Sequence, residues 1–408
     1  MPRKTSYQVL CDVMMNQAYA SLSMKQMHHL DAKDMALVSV LVYGVLRNWE
    51  LLKFQWQPYV TKKVTKKSEI LLNLGVYQFH FMDRIPDYAV IDETVSLASK
   101  HEKGFINAIL RKCQGQPMRV SEDEHLVKRT SINCSVPEWI LNLWKKQYGE
   151  DIMIKTAEST LKTSSMTARI NPVKASKEEL MCDEKVHFID DLAFVYDGNL
   201  VHSEWFASGK AVIQDLSSQK AARYLEVQDH DAVLDACSAP GSKTTLMAAL
   251  MHNTGKVVAC DLYENRLKLV REACERLGIM NVFTQVMDST KAHEVFEPES
   301  FDRMLLDVPC SGLGTLRQKP EIAFTLTGEG LDEIVQIQKE ILDSCAPLLK
   351  KGGTMVYSTC TLNQKENSKQ VKAFVERHPD YQLIKEETCF PFEGDWDGFY
   401  MAKLLKTE

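Results

Sequence analysis

Two cysteines stand where apolar runs give way to polar loops. In GGTMVYSTCTLNQKEN, which starts at Gly352, the run Met355-Val356-Tyr357 stops at Ser358-Thr359-Cys360. In FDRMLLDVPCSGLGT the run ends at Asp307, and Cys310 follows one proline later. A thiol inside a strand is packing, whereas one at its mouth is within reach of a substrate. An unperturbed thiol is only roughly a few per cent ionised at neutral pH, yet it is intrinsically very nucleophilic. Its placement therefore matters more than a large pKa shift. One reaction that needs such a thiol is methylation of a pyrimidine at C5. Cytosine C5 does not take a methyl cation directly; a thiolate added at C6 turns the ring into an enamine whose C5 can attack. A base must then remove the C5 proton so that the thiol can leave. That chemistry calls for a nucleophilic cysteine, a carboxyl group near N3 and a methyl donor alongside. Cys360 and Asp307 supply the first two.

The third has its own signature. AVLDACSAPGSKTTLMAALM reads as an apolar strand, a Gly/Ser/Pro loop and an apolar helix, which sets backbone amides and a tight turn at the carboxyl edge of a sheet. GKVVACDLYENRLKLV is a second strand, ending at Asp261, and a second helix. Asp261 lies about 20 residues beyond the glycine turn, where a carboxylate can take both hydroxyls of a ribose. NVFTQVMD ends at Asp288 and FDRMLLD at Asp307, so carboxylates on successive strand ends converge on one crevice. A lone acidic residue at a strand end is ordinarily a helix cap; three in order behind a glycine loop read as a ligand site. CSAPGSK lacks the spaced glycines that bring a backbone against a pyrophosphate, which disfavours a nicotinamide dinucleotide. A carboxylate-lined pocket suits a cationic ligand, and S-adenosylmethionine, with its sulfonium and ammonium groups, has that sign.

The elements that position these residues follow from the apolar periodicity. Alternating strand and helix signals from about residue 207 predict an α/β domain built on a parallel sheet. DMALVSVLVYGVLRNWELLKFQW and SEILLNLGVYQFHFM, the latter with Ser68 as N-cap, repeat apolar residues at helical spacing. With IPDYAVIDETVSLASK and KGFINAILRKC they predict an all-helical region over residues 1–125. GQPMRVSEDEH reads as a linker, and residues 126–206 as that linker plus a small α+β subdomain with short strands at MTARINP and AFVYDGNLVHS. The catalytic domain then occupies residues 207–408.

The composition, 408 residues with 45% hydrophobic and 25% charged, is that of a soluble globular protein. Eleven cysteines without a Cys-x-x-Cys pair argue against a zinc ribbon, any other metal site of that type and a thioredoxin motif. Free thiols in a chain without an export signal or a long apolar segment predict a cytoplasmic protein with no membrane partner. Cys11, Cys113, Cys134, Cys182, Cys260, Cys274, Cys345 and Cys389 read as packed thiols. The net charge of -6 confines any nucleic-acid contact to local basic patches.

DACSAPGSKT, LLDVPCSGLGTLRQKPE, VYSTCTLNQKEN and DGFYMAKL resemble the RNA 5-methylcytosine methyltransferases, and LVYGVLRNWELL, IPDYAVIDETVSLA and FINAILRKC resemble the NusB-like RNA-binding fold. The pairing resembles the RsmB (Sun, Fmu) family over nearly the whole chain. The resemblance implies an all-α NusB-like domain, a small α+β middle subdomain, and a Rossmann-like class I methyltransferase domain that modifies a cytosine of 16S rRNA. It implies that Cys360 bonds to C6, that Cys310 assists release of the product, and that Asp307 contacts the target cytosine and the methionine end of S-adenosylmethionine. The loop formed by Cys237, Ser238, Ala239, Pro240, Gly241, Ser242 and Lys243 would wrap the cofactor, Asp261 its ribose and Asp288 its adenine. Lys243 would also touch the target base. Arg266, one helical turn beyond Asp261, reads either as a cofactor contact or as a salt-bridged surface arginine. Ser238 and Ser242 stand where the family more often has alanine and glycine, and serine has less backbone freedom than glycine.

C5 of a paired cytosine faces a deep, narrow groove that side chains do not enter, so the target must be single-stranded or flipped out. Candidate basic contacts are TKKVTKK at 61–67, Arg111, Lys112, Arg169 with Asn171, Arg317 and Lys319. The chain is expected to be a monomer. Competing readings are a methyltransferase for tRNA or another rRNA position, a DNA cytosine methyltransferase using Cys310 as nucleophile, and a non-catalytic NusB-like RNA-binding factor.

Overall fold

The structure, a computed structural model, describes residues 1–27, 30–163 and 165–407. The chain forms two compact units: residues 1–163 with 316–326, and residues 164–315 with 327–408.

The first unit is helical. Helices Pro2–Asn16, Ala32–Arg47, Trp49–Trp56, Lys66–Phe81, Asp87–Leu97 and Lys103–Cys113 enclose Leu10, Leu41, Leu46, Trp49, Leu52 and Ile70, all essentially inaccessible to solvent. Their apolar spacing puts one stripe of each helix inward. Buried polar groups are answered within the core: Trp56 Nε1 donates to Asn73 Oδ1 at 2.7 Å. Lys66–Phe81 begins two residues before Ser68, and Thr65 is its cap, accepting from the Ser68 amide. Ser68 instead turns its hydroxyl to Glu102.

Residues 126–206 are divided between the units. Helices Leu126–Cys134, Glu138–Tyr148 and Glu150–Ser159 fold with the first, because the stretch expected as a loose linker is fastened. The Arg119 amide donates to Gln55 Oε1 at 2.8 Å and its guanidinium to the Gln55 carbonyl at 2.9 Å, while the Ser121 amide donates to Asn133 Oδ1 at 2.7 Å. Residues 316–326, which follow the Cys310 loop, also belong to the helical unit, where Arg47 donates to the Arg317 carbonyl and Phe324 meets Trp49 edge-on.

The second unit holds two sheets. Strands β1 (Thr167–Ile170), β2 (Val186–Phe188), β3 (Ala193–Tyr196) and β4 (Ala211–Ile213) form an antiparallel sheet in the order β2-β3-β1-β4. Strands β5 (Ala232–Asp235), β6 (Lys256–Asp261), β7 (Val282–Val286), β8 (Phe301–Asp307), β9 (Leu349–Thr359), β10 (Tyr381–Cys389) and β11 (Phe399–Lys406) form the larger one, in the order β10-β11-β9-β8-β5-β6-β7. The strands from β5 to β9 run parallel, and β10 and β11 close one edge antiparallel.

Alternate side chains serve opposite faces. Leu234, Met304, Leu306, Met355 and Tyr357 pack into one apolar cluster, and Val233, Leu305 and Val356 into the other. Burial on both faces explains why these strands read as unbroken apolar runs. β5 has β6 on one side and β8 on the other, so connections leave it in opposite directions. A crevice opens there at the carboxyl ends of the strands, the place where open α/β sheets bind ligands.

Candidate active site

The residues singled out in the sequence converge on that crevice. Beyond β5 the loop 237–243 turns into the helix Ser242–Leu250. The Ser238 amide donates to the Cys260 carbonyl at 2.8 Å, the Gly241 amide donates to the Ser238 carbonyl at 2.7 Å, and the Ala239-Pro240 peptide is cis. Gly241 has φ of 101°, which favours glycine, and a Cβ there would also stand a tight 3.2 Å from Val270. Ser242 has entered the helix, so serine in place of glycine there carries no strain. Cys237 is a thiol held protonated, its pKa pushed up by burial and by the nearby Cys345 and Asp235.

Asp261 ends β6 almost wholly buried. Arg266 is salt-bridged, the second of its two readings: Nη1 lies 3.1 Å from Asp261 Oδ2, and Nη2 donates to the Ala239 carbonyl at 3.1 Å. It is a half-exposed, salt-bridged arginine that also fastens the loop. β7 stops at Val286, two residues short of Asp288. Asp288 is exposed and caps the following turn, accepting from the Thr290 amide and hydroxyl.

At the end of β8, Asp307 Oδ2 accepts from Lys243 Nζ at 2.7 Å, and Oδ1 accepts from Ser358 Oγ at 2.8 Å. Ser358 is its register partner on β9. Burial disfavours the Lys243 ammonium, yet Asp307 and the sulfur of Cys360 hold its pKa above the ordinary lysine value. Lys243 Nζ also lies 5.4 Å from the centre of the Phe399 ring. Cys310 Sγ and Cys360 Sγ are 3.3 Å apart, both partly accessible. The hydrogen bond to Cys360, with burial, pushes the Cys310 thiol well up. Cys310 thus keeps its proton beside the Cys360 sulfur.

Three features escaped the sequence reading. Asp235, the last residue of β5, is a fourth strand-end carboxylate; Thr244 Oγ1 donates to its Oδ2 at 2.7 Å, while Oδ1 is buried with no hydrogen-bond partner. Glu366 is wholly buried and accepts from the Ser311 amide (2.8 Å) and hydroxyl (2.6 Å), Asn363 Nδ2 (2.9 Å) and Gln338 Nε2 (3.1 Å). It clamps the residue after Cys310 to the loop after Cys360. Finally, the Gly314 amide donates to the Cys360 carbonyl at 3.1 Å and the Gly398 amide to the Gly314 carbonyl at 2.8 Å. A Cβ on Gly314 would stand 1.9 Å from the Gly398 carbonyl oxygen, so only glycine lets DGFYMAKL close against both cysteine loops.

The signal for Asp235 was the same as for its neighbours, an acidic residue ending an apolar run. Its environment yields a pH prediction. Burial, outweighing the Thr244 bond and reinforced by Asp307, pushes its carboxyl up to about 7. An acid whose folded pKa is raised lends stability at low pH and loses it as pH climbs from its unfolded value, about 4, through its folded one. The melting temperature of Asp235→Asn is therefore expected to fall less than that of the parent between pH 5 and pH 8; equal slopes would refute the assignment.

Arg169 and Asn171, expected to hold RNA, are wholly buried. Arg169 donates to Gln214 Oε1 at 2.7 Å, Thr245 Oγ1 at 3.0 Å and the Ser242 carbonyl at 3.4 Å, bracing the first turn of the loop helix. Burial, with Arg276 nearby, pulls its pKa down to about 9. Asn171 Nδ2 donates to the Gly209 and Leu277 carbonyls. Arg317 is buried as well, whereas Lys62, Lys63, Arg111, Lys112 and Lys319 are exposed. Trp144 is core; Trp139 is exposed, and Trp205 donates to Asp183.

The donor set fits S-adenosylmethionine. Carboxylates of Asp235, Asp261 and Asp307 surround a glycine turn, and the orphaned Asp235 Oδ1 and Ser238 Oγ lie buried beneath it. A polyanion would meet the wrong sign there.

Comparison with known proteins agrees. Residues 222–405 match the family model of the 16S rRNA methyltransferases RsmB/F, and residues 1–115 that of the NusB family. The chain is 36% identical to the probable ribosomal RNA small subunit methyltransferase B of Bacillus subtilis, with 99% of this chain and 98% of that protein covered. It is 32% identical to ribosomal RNA small subunit methyltransferase B of Photorhabdus laumondii, covering 96% and 95%. Among solved structures, a methyltransferase homolog from Pyrococcus horikoshii superposes with a TM-score of 0.62 at 25% identity, over 70% of this chain and 99% of that one. The fold is shared with NSun6 from Pyrococcus horikoshii, solved with SFG: TM-score 0.61, 21% identity, 67% and 98% covered. No single helix among the described residues is long and apolar enough to cross a membrane. The chain belongs to the ribosomal RNA small subunit methyltransferase B (RsmB) family, S-adenosylmethionine-dependent rRNA methyltransferases in which a NusB domain precedes a Rossmann-like catalytic domain.

Proposed function

We propose that the protein methylates C5 of a cytosine in 16S rRNA through a transient bond between Cys360 Sγ and C6 of the base. The observation that carries this reading is the sulfur pair, 3.3 Å apart, beside the Lys243–Asp307 ion pair at one sheet crevice.

In this reading the loop 237–243 wraps the cofactor. Asp261 holds its ribose from beside half-exposed Arg266, with which it is ion-paired. Asp288 lies toward the adenine. Bound S-adenosylmethionine supplies an electrophilic methyl group.

The chain's own residues do the rest. The Cys360 thiolate, receiving the Cys310 hydrogen bond, adds to C6, and the displaced electron pair runs toward N3. Lys243 and Asp307, ion-paired at 2.7 Å, face the charge that develops there. After C5 is methylated its proton passes to solvent and the C6–S bond breaks. The departing sulfur again accepts from the Cys310 thiol, so that Cys310 assists release as a proton holder. Glu366 positions both cysteine loops. The protein acts in this way as a monomer on a single-stranded or flipped-out base.

Incubation with a labelled methyl donor and unmodified small-subunit rRNA, followed by bisulfite mapping, is expected to place the label on a bisulfite-resistant cytosine. Label on a cytosine that bisulfite still converts would overturn the C5 assignment.

A further inference from the structure

A cavity of about 340 Å³ opens in the catalytic unit beside the helix Leu216–Tyr224 and strand β10. It is lined by Tyr224 and Trp396 together with Lys220, Arg223, Lys385 and Asp190. Its aromatic residues share packing with the active site: Tyr224, Trp396 and Cys360 pack on one apolar cluster of Ala221, Cys389, Phe399 and Met401. Trp396 also stands two residues before Gly398, whose amide holds Gly314 and through it the Cys360 carbonyl.

We propose that this cavity is a nucleotide subsite, which takes the base and phosphate of a residue flanking the target pyrimidine in the same RNA strand. The inference rests on the reading of Cys360 as the thiol that meets the target base. A polynucleotide bound there must continue on both sides of the target, and the thiol and two of the cavity's aromatic rings pack on the same apolar cluster. Its chemistry is that of a single-strand site, an aromatic platform with cations at its rim. Trp396 Nε1 donates to the Phe390 carbonyl at 2.9 Å, which fixes the plane of the indole before any base arrives. Lys385 Nζ lies 3.9 Å from the centre of the Tyr224 ring and covers one of its faces, so the ring and the cation form one edge of the cavity.

The cations are paired with carboxylates: Lys220 with Glu387, Arg223 with Asp190 at 2.5 Å, and Lys385 with Glu226 at 3.3 Å. All six side chains are at least a third exposed. Such pairs contribute little to stability, so exchanging a carboxylate for a phosphate is inexpensive. The pairs also keep the rim close to neutral until RNA arrives, in keeping with a chain of net charge -6.

The test is equilibrium binding of fluorescent RNA without a methyl donor, so its outcome is independent of whether Cys360 performs catalysis. The probes are the target-containing strand and two series shortened nucleotide by nucleotide from the 5′ or 3′ end. Trp396→Ala is expected to weaken binding of the full strand about tenfold. That loss should vanish for one series once the flanking nucleotide is removed. Because Trp396→Ala removes a packed ring, Lys220→Gln with Arg223→Gln serves as a surface control on folding. The pair is expected to lower the slope of log affinity against log salt by about one to two. Unchanged affinity and salt slope would overturn the proposal, as would a loss in Trp396→Ala that is equal on every fragment down to the shortest.

Discussion

Cys360→Ala is expected to lose methyl transfer by about 10⁴-fold or more, because it removes the atom that makes C5 a nucleophile. Cys310→Ala is expected to fail differently. With Sγ–Sγ at 3.3 Å and the Cys310 thiol pushed well up, Cys310 holds a proton within reach of the Cys360 sulfur. Its loss leaves the departing Cys360 sulfur unaided, so a protein–RNA adduct accumulates with the methyl group already transferred. Denaturing electrophoresis of each variant with RNA and methyl donor reads this directly: a shifted band for Cys310→Ala and none for Cys360→Ala. The opposite pattern would make Cys310 the nucleophile, the arrangement weighed above for a DNA cytosine methyltransferase. Retained binding of S-adenosylmethionine by both variants separates chemistry from folding, since neither sulfur is part of the loop 237–243.

What could be read from the sequence was what is local. Cys310, Cys360, Asp261 and Asp307 lie at or just past strand ends, and the apolar runs that announce the strands also announce where they stop. Ser68 and Thr65 show the limit of that signal. Both are hydroxyls near the start of one helix, and the cap is whichever precedes the first helical residue, which periodicity locates only within a turn. Arg169 was misread for another reason. An arginine in a short strand signals charge, whereas its complete burial depends on Gln214, Ser242 and Thr245, brought to it from 45 to 76 residues away. Glu366 was visible only as part of a polar run; its partners Ser311 and Gln338 come from different connections. The excursion of residues 316–326 into the helical unit had no local mark at all, because it is fixed by contacts such as Trp49–Phe324.

The Lys243–Asp307 pair gives the second large effect, and one that its two single variants divide unequally. Asp307→Asn keeps the shape of the side chain, and its amide oxygen can still accept from Ser358. It removes the charge that offsets burial of Lys243, whose side chain is only 12% exposed. With Asp307 gone, burial becomes the governing influence on an ammonium that Asp307 now holds above its ordinary pKa, so that pKa falls. The rate should drop by about 10²–10⁴-fold, as expected when an acid–base group facing developing charge is lost. The alkaline limb of the pH–rate profile should move to lower pH, because Lys243 sheds its proton sooner. Lys243→Met leaves a different remainder: a carboxylate 27% exposed, still bonded to Ser358 and able to reach water. It should therefore cost less stability than Asp307→Asn, whose orphaned ammonium carries a penalty of about 3–5 kcal/mol. In the double variant, removing the lysine should recover part of the stability lost in Asp307→Asn without restoring the rate. Equal melting temperatures for the two single variants, together with an unmoved alkaline limb in Asp307→Asn, would show that the charges of the pair are not coupled in the folded protein.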